Sequence, residues 1–382
     1  MGLISDKEST VDIVGASRSR PSLASGPVYF YVTPLGPPDN NGYPHPLVAL
    51  AEGLRELGVP TYANINHWRE SPDSEAFLFT HDADVSPRDC TAVVLDNCWT
   101  HAAWPLPEEL FKPGRRFRTA FFDFEDSYPS VATREEFRGF DFVFRPHWNS
   151  HLEFPDNFRP WAFGPTMRIL RETAAGLPFA SRARHILVSY RVGHPVRDLA
   201  GSRFLKPFQH VLPAYRYSDS FQEPPEGYHH LQWHQTGRRH NTAYYAQLNR
   251  AQACACFGGT LIAPAIAPRH TLQGLVQRVQ VRMNRLPKFV CQWDSFRLWE
   301  SWASGAATFH VDLEKYGARL PVMPGNCEHY IGVDLQKPRD MVERLRDDPM
   351  HLDRVAASGR QWALEHYHPV EVARRFLATL FG

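Results

Sequence analysis

The chain has 382 residues and a mass of 43.7 kDa, which is enough for two domains of ordinary size. Charged residues make up 22 % of it and hydrophobic residues 43 %, a balance that excludes a largely disordered protein or a coiled coil. The net charge of +1 lacks the basic excess of proteins that wrap nucleic acid, so we expect no nucleic-acid partner.

Residues 1–26 show little periodicity and are predicted to be a flexible leader. They lack the basic and apolar regions of a secretory signal, and no run in the chain has the roughly 20 apolar residues of a membrane helix. We therefore expect a cytoplasmic protein.

The first half then reads as β-loop-α-β. A compact apolar run at residues 28–33 predicts a buried strand, and leucines at helical spacing over residues 47–57 predict a helix that ends at Gly58. Further strands are predicted at residues 61–65, 77–80, 92–96, 118–124 and 141–144. This order is typical of a parallel α/β domain, which we assign to residues 27–165.

A proline-rich approach to the domain boundary precedes a linker predicted at residues 166–184. A fresh strand at residues 185–190 opens a second domain, assigned to residues 185–366, and residues 367–382 are predicted to form a final helix. Within this domain, an irregular insertion is predicted over residues 258–287.

The six cysteines form no CxxC pair, which argues against a zinc ribbon or a thioredoxin-type motif. We predict reduced, buried thiols, with Cys254 and Cys256 on opposite faces of a strand.

The most informative stretch is residues 292–305. Asp294 or Ser295 can cap a helix whose first turn presents free N–H groups to an anion. Arg297 lies in that first turn, where the helix dipole disfavours a cation, so its charge is predicted to serve an anionic ligand. Glu300 lies one turn further on and can accept hydrogen bonds from ribose hydroxyls. The pattern suits a nucleoside diphosphate, although a surface Arg–Glu pair has the same spacing.

This stretch resembles the nucleotide-sugar-binding motif of GT-B glycosyltransferases, a Glu-x7-Glu pattern followed by a small residue, a glycine and an apolar strand. Glu300 matches the second glutamate, and Ser304 and Gly305 match the small-residue and glycine positions. Gln292 stands where the first glutamate is expected, which leaves the stereochemical outcome of the reaction open.

The order Ser295-x-Arg297-x-x-Glu300 also resembles the exostosin-like branch, and the whole resemblance covers residues 185–382. It implies two Rossmann-like α/β domains that face a cleft, with the C-terminal helix crossing back to the first domain.

The resemblance further implies transfer of a sugar from a nucleotide-diphosphate sugar to a hydroxyl of a saccharide or glycolipid. No cofactor or metal is expected, because helix N-termini and arginines can neutralise the leaving diphosphate. Peripheral contact with a membrane is compatible with a glycolipid acceptor.

Further candidates follow from position, because ligands of doubly wound sheets bind beyond the carboxyl ends of the strands. Arg191, Gly193 and Arg197 follow the strand at residues 185–190 and are predicted to bind the donor, with a solvated surface turn as the alternative.

In the first domain, Glu125 and Asp126 follow the strand at residues 118–124, and His45 lies near the start of the first helix. These three residues are candidates for the general base that deprotonates the acceptor, with Asp126 the best placed.

Three alternatives stay open. Asp82-x-Asp84 after a strand is the metal and diphosphate motif of GT-A glycosyltransferases, although about one such pair is expected by chance. The chain can also be a catalytically degenerate relative that binds glycans or partner proteins. The same fold further accommodates sugar-nucleotide epimerases and hydrolases.

Overall fold

The computed structural model describes residues 26–33, 44–69, 76–126, 135–174, 176–190, 194–217, 241–262, 288–348 and 350–382, together with positions 271, 272, 275, 276 and 279. The predicted leader lies outside these residues except for its last position.

The strands of the first half are, in chain order, β1 (Val28–Phe30), β2 (Thr61–Ala63), β3 (His67–Arg69), β4 (Phe77–Phe79), β5 (Ala92–Asp96), β6 (Arg118–Phe122), β7 (Phe142–Arg145) and β8 (Phe158–Pro160). Within the described residues, six of them form one parallel sheet in the order β2-β1-β5-β6-β7-β8. Strands β3 and β4 form a separate antiparallel pair.

The strands of the second half are β9 (Ala183–Val188), β10 (Ala214–Arg216), β11 (Ala251–Ala255), β12 (Thr260–Ile262), β13 (Phe289–Cys291), β14 (Ala307–Val311) and β15 (Ile331–Val333). Five of the described strands form a second parallel sheet in the order β10-β9-β11-β14-β15. The remaining two, β12 and β13, pair in an antiparallel ribbon.

The helices are α1 (His45–Glu56), α2 (Asn97–His101), α3 (Met167–Ala174), α4 (Pro195–Ala200), α5 (Thr242–Arg250), α6 (Phe296–Ser304), α7 (Pro338–Asp347), α8 (His351–Tyr367) and α9 (Pro369–Phe381). Helix α4 continues through a π-helical turn, Gly201–Leu205, into Lys206–Phe208.

Both sheets have a topological switch point, a place where successive connections leave a strand in opposite directions. It lies between β1 and β5 in the first sheet and between β9 and β11 in the second. Because ligands of doubly wound sheets bind in the crevice at this point, the topology locates one candidate site in each domain.

The C-terminal helix crosses back onto the first domain, as expected. α9 packs against α1 so closely that a Cβ atom added at Gly53 would lie 1.9 Å from the carbonyl oxygen of Pro369. A glycine is therefore required on α1 where the two helices meet.

The segment between β7 and β8 joins the first domain to the second. The side-chain amide of buried Asn149 donates to the carbonyl oxygens of Val290 and Tyr316, at 2.8 and 2.9 Å. The carbonyl oxygen of Trp148 accepts a hydrogen bond from the indole N–H of Trp293 at 3.1 Å. These bonds fix one side of the interdomain crevice.

The six cysteines are unpaired, as predicted, and five of them are buried. The expectation of opposite faces is wrong, because residues two apart on a strand share a face. The Sγ atoms of Cys254 and Cys256 accordingly lie 3.8 Å apart.

Candidate active site

Helix α6 carries the predicted donor motif and is held rigidly at both ends. Trp299 and Trp302 are buried and pack against Trp362 of α8. At the C-terminus, Gly305 has φ +68°, and the Arg182 guanidinium donates to the carbonyl oxygen of Ser304 at 2.6 Å. A left-handed glycine and a cation are the usual ways to satisfy the last carbonyl groups of a helix.

At the N-terminus of α6, the carboxylate of Asp294 accepts hydrogen bonds from other groups of the protein. Its Oδ1 accepts a hydrogen bond from the indole N–H of Trp299 at 2.7 Å, and its Oδ2 accepts one from the amide of Phe163 at 2.8 Å. Complete burial raises the pKa of Asp294 to about 6. Ser295 occupies the cap position, but its side chain makes no capping bond.

On α6, Glu300 is buried, and Arg297 is partly buried with its Nε atom inside the protein. Glu300 is 4 % exposed and accepts a hydrogen bond from the hydroxyl of Tyr245 at 3.1 Å. Burial acts to lower the pKa of Arg297, but Tyr244 and other groups nearby outweigh it and raise that pKa. The guanidinium therefore stays charged, and its buried Nε has no hydrogen-bond partner among the described residues. An ordinary surface ion pair does not have this environment.

Arg197 lies at the switch point of the second sheet. Its Nε donates to the carbonyl oxygen of Phe257, just beyond β11, at 3.1 Å. Its guanidinium also covers the ring of Tyr190, just beyond β9, at 5.3 Å. The cation thus bridges the carboxyl ends of the two strands that flank the switch point. Arg191 and Gly193, the other two predicted donor residues, lie outside the described residues.

The acidic residues after β6 have three different environments. Asp123 is fully buried and forms an ion pair with Arg145. The carboxylate of Glu125 is 2.5 Å from Nε2 of His101. The side chain of Asp126 is 84 % exposed, and its Oδ1 is 3.5 Å from Nε2 of His147. Asp126 is therefore the most open of the three to an acceptor from solvent.

His45, the third candidate base, is the first residue of α1 and is fully buried. Its Nε2 lies 2.6 Å from the carbonyl oxygen of Gly164, and its ring centroid is 4.7 Å from that of Phe296. Since a carbonyl only accepts, Nε2 carries the proton, and only Nδ1 can act as a base.

His147 lies in this crevice, although the sequence analysis did not select it. Its Nδ1 accepts a hydrogen bond from the amide of Asp294 at 3.1 Å, which leaves the proton on Nε2, facing Asp126. Its φ is +60°, and Gln292 on the facing segment has φ +56°. Strained backbone of this kind concentrates at functional sites. The sequence signal that could have identified His147 is its position, because it follows β7 as Asp126 follows β6.

Asp96 was also missed. It is the last residue of β5, beside the switch point of the first sheet. Its Oδ1 accepts the amide of Cys98 at 3.0 Å, while its buried Oδ2 has no hydrogen-bond partner among the described residues. Burial raises the pKa of Asp96 to about 7, so the group can change protonation near neutral pH.

The Asp82-x-Asp84 pair forms a local turn at the surface. Oδ1 of Asp82 accepts a hydrogen bond from the amide of Asp84 at 2.9 Å, and both residues are exposed. The described residues include no cluster of three or more His, Cys, Asp or Glu side chains able to hold a metal ion.

No family model matches the chain, and no curated protein matches it. Solved structures match it over nearly its whole length. An alpha-glucosyltransferase in complex with UDP and a 13-mer DNA containing a HMU base gives a TM-score of 0.54 at 10 % identity, over 94 % of this chain and 100 % of that one. The fold is GT-B.

Two further alpha-glucosyltransferase complexes give similar TM-scores. Alpha-glucosyltransferase in complex with UDP gives a TM-score of 0.52 at 9 % identity, over 94 % of this chain and 100 % of that one. The complex with UDP-glucose and DNA containing an abasic site gives 0.52 at 10 % identity, over 93 % and 99 %.

The GT-B fold confirms the predicted fold class and does not favour the GT-A alternative. Two of these three complexes contain DNA, which conflicts with the expectation, drawn from net charge, that nucleic acid plays no part. Each helix that the structure describes is too short or too polar to span a bilayer.

Proposed function

We propose that this protein is a glycosyltransferase that moves a sugar from a nucleotide-diphosphate sugar to an acceptor hydroxyl. The observation that carries the proposal is the pair of partly buried Arg297 and buried Glu300 on the first two turns of α6, in the same domain as Arg197 at the switch point. A cation with a buried, unpartnered N–H suits a phosphate, and a buried carboxylate suits ribose hydroxyls.

In this proposal the diphosphate binds between the N-terminus of α6, Arg297 and Arg197. The positive end of the α6 dipole and the two cations stabilise the charge that develops on the leaving diphosphate. These groups make transfer without a metal ion feasible. Arg191 and Gly193 belong to the same proposed site by their position after β9.

We propose UDP as the nucleotide of the donor and a hexose as its sugar. The support is that the matched alpha-glucosyltransferase complexes contain UDP or UDP-glucose. The acceptor proposed from the sequence is a saccharide or a glycolipid, and DNA enters as a third class to be tested because of the same complexes.

On the acceptor side, Asp126 is the proposed general base if the reaction inverts the anomeric centre. Three observations support Asp126: its side chain is exposed, it follows β6, and its Oδ1 lies 3.5 Å from Nε2 of His147. A base must reach the acceptor hydroxyl directly or through one water molecule, which an open carboxylate can do. Glu125 and His45 are the next candidates.

The direct test is turnover of UDP- and GDP-sugars by the purified chain, first as hydrolysis and then with saccharide, glycolipid and DNA acceptors. We expect release of UDP from a UDP-hexose and loss of this activity in Glu300→Gln. The exposed Glu343→Gln on α7 serves as the matched control and should keep wild-type activity.

Nucleotide-sugar binding without turnover by any acceptor would instead support a degenerate binding protein. Absence of both binding and turnover would overturn the proposal.

A further inference from the structure

A cavity of about 790 Å³ lies between α8, the C-terminus of α6 and the residues that precede β9, and we call it the rear cavity. Its lining combines the apolar side chains of Phe179 and Leu364 with the two cationic side chains of Arg182 and Arg360. Sites for small molecules usually have roughly 300–1,000 Å³ and an apolar lining with a few polar groups. The rear cavity therefore has the size and the lining of a small-molecule site.

The two arginines of the rear cavity approach the same point in space. A Cβ atom added at Gly305 would lie 3.3 Å from Cδ of Arg360 and 3.5 Å from Nη2 of Arg182. Burial, and after it the positive charge of Arg360, lowers the pKa of Arg182. Neither arginine forms an ion pair within the part of the chain that the structure describes. Two neighbouring cations thus lack an anionic partner.

The C-terminus of α6 accounts for only part of this positive charge. Nε of Arg360 donates to the carbonyl oxygen of Ala303 at 3.0 Å, and Arg182 donates to three carbonyl oxygens, that of Ser304 among them. A helix C-terminus carries about half a negative elementary charge, whereas the two arginines together carry two positive ones. Because each guanidinium has five N–H groups, both arginines keep donors for a further acceptor.

The rear cavity also contains hydrogen-bond acceptors. The carboxylates of Asp353 and Glu365 line it, together with the amide of Gln361. Among the described residues, neither carboxylate pairs with an arginine of the cavity, and Glu365 lies instead 4.0 Å from Nε2 of His366. Carboxylates repel an anion but accept hydrogen bonds from hydroxyl groups. The lining therefore suits a ligand that is anionic at one end and hydroxylated elsewhere.

We propose that the rear cavity binds a small phosphate monoester that carries hydroxyl groups, with its phosphate against Arg182 and Arg360. A phosphate monoester carries a charge of about −2 at neutral pH, which matches two cations, and its oxygens accept paired hydrogen bonds from guanidinium groups. A dicarboxylate has the charge but lacks hydroxyl groups for Asp353 and Glu365. The rear cavity is distinct from the proposed donor site, because the nine residues of α6, about 13 Å in length, separate the two.

The test is isothermal titration of the full-length protein with ribose 5-phosphate, with ribose and with succinate, each in the absence and in the presence of excess UDP. We expect binding of ribose 5-phosphate under both conditions and no binding of ribose or succinate. Arg360→Gln should weaken the binding about tenfold or more, because it removes a charged hydrogen-bond donor. The readout is binding rather than turnover, so it does not depend on the proposed glycosyltransferase activity.

Arg354→Gln is the matched control, because Arg354 is an exposed arginine on the same helix and does not line the rear cavity. It should bind ribose 5-phosphate as the wild type does, and circular dichroism should show both variants folded. Unchanged affinity in folded Arg360→Gln, or no binding by the wild type, would overturn the proposal. Displacement of ribose 5-phosphate by UDP would place it in the donor site instead, and equal binding of succinate would contradict the choice of a phosphate monoester.

Discussion

The amide of Asp294 donates a hydrogen bond to Nδ1 of His147, with an N···N distance of 3.1 Å, and so ties helix α6 to the first domain. The same bond leaves the ring proton on Nε2, which lies 3.5 Å from Oδ1 of Asp126 and has no hydrogen-bond partner among the described residues. One imidazole ring therefore connects the start of the donor motif to the proposed base. The φ of +60° at His147 places this connection in strained backbone.

Asp126→Asn should depress kcat by roughly 10²- to 10⁴-fold if the enzyme inverts, because that is the typical effect of losing a general base. Donor affinity should hardly change, since the donor is proposed to bind the other domain. Transferase kinetics on Asp126→Asn and Glu125→Gln, measured separately, check this. If both variants keep kcat within about threefold of wild type, the base lies elsewhere or the reaction retains configuration.

His147→Ala should lower kcat more than donor affinity, because it removes the ring that joins the amide of Asp294 to the segment that carries Asp126. His147→Asn, whose side-chain oxygen can accept the bond from the Asp294 amide, should restore part of kcat. A purely structural role predicts lower thermal stability in both variants with kcat unchanged for the folded enzyme, and that outcome would refute the positioning role. Differential scanning fluorimetry separates the two effects.

Activity should survive EDTA, because Asp82 and Asp84 form a surface turn and the proposed site neutralises the diphosphate with two arginines and the positive end of the α6 dipole. Asp84→Asn should likewise keep wild-type activity. Loss of turnover on chelation, with recovery on addition of Mn²⁺, would show that a metal participates.

Asp96→Asn should become more stable relative to wild type as the pH rises from about 4 to about 7. Burial raises the pKa of Asp96 in the folded state to about 7. Within this pH window the wild-type side chain is therefore ionised in the unfolded state but still protonated in the folded state, so the unfolding free energy of wild type falls as the pH rises. Asparagine cannot ionise but keeps an oxygen to accept the Cys98 amide. Urea unfolding of both proteins over this pH range is the measurement, and a constant difference in unfolding free energy would contradict it.

Helices and strands could be predicted from the local sequence where their signals lie within a few residues of one another. A helix capped by Asp294 or Ser295 was predicted, and α6 begins at Phe296 and ends just before Gly305. The core strands were found to within a few residues, since buried parallel strands are continuous apolar runs. The edge strands β8 and β10 carry no such run and were missed.

Sequence spacing could not show contacts between distant segments. Asp294 was expected to cap α6 near the ligand, but its partners include the amide of Phe163, more than a hundred residues away in the chain. Three carboxylates lie at the end of one strand in sequence, yet Glu125 lies against His101, Asp126 is exposed beside His147, and Asp123 is buried with Arg145. Only the three-dimensional arrangement separates their roles.

The central claim is that Glu300 on α6 binds the nucleotide of a sugar donor. Isothermal titration of UDP into wild type and Glu300→Ala tests it most directly. We predict that wild type binds UDP and that the variant, still folded, binds more than tenfold more weakly, as expected for roughly 1.5–3 kcal/mol of charged hydrogen bonds. Unchanged affinity in a folded Glu300→Ala protein would contradict this assignment of the donor site.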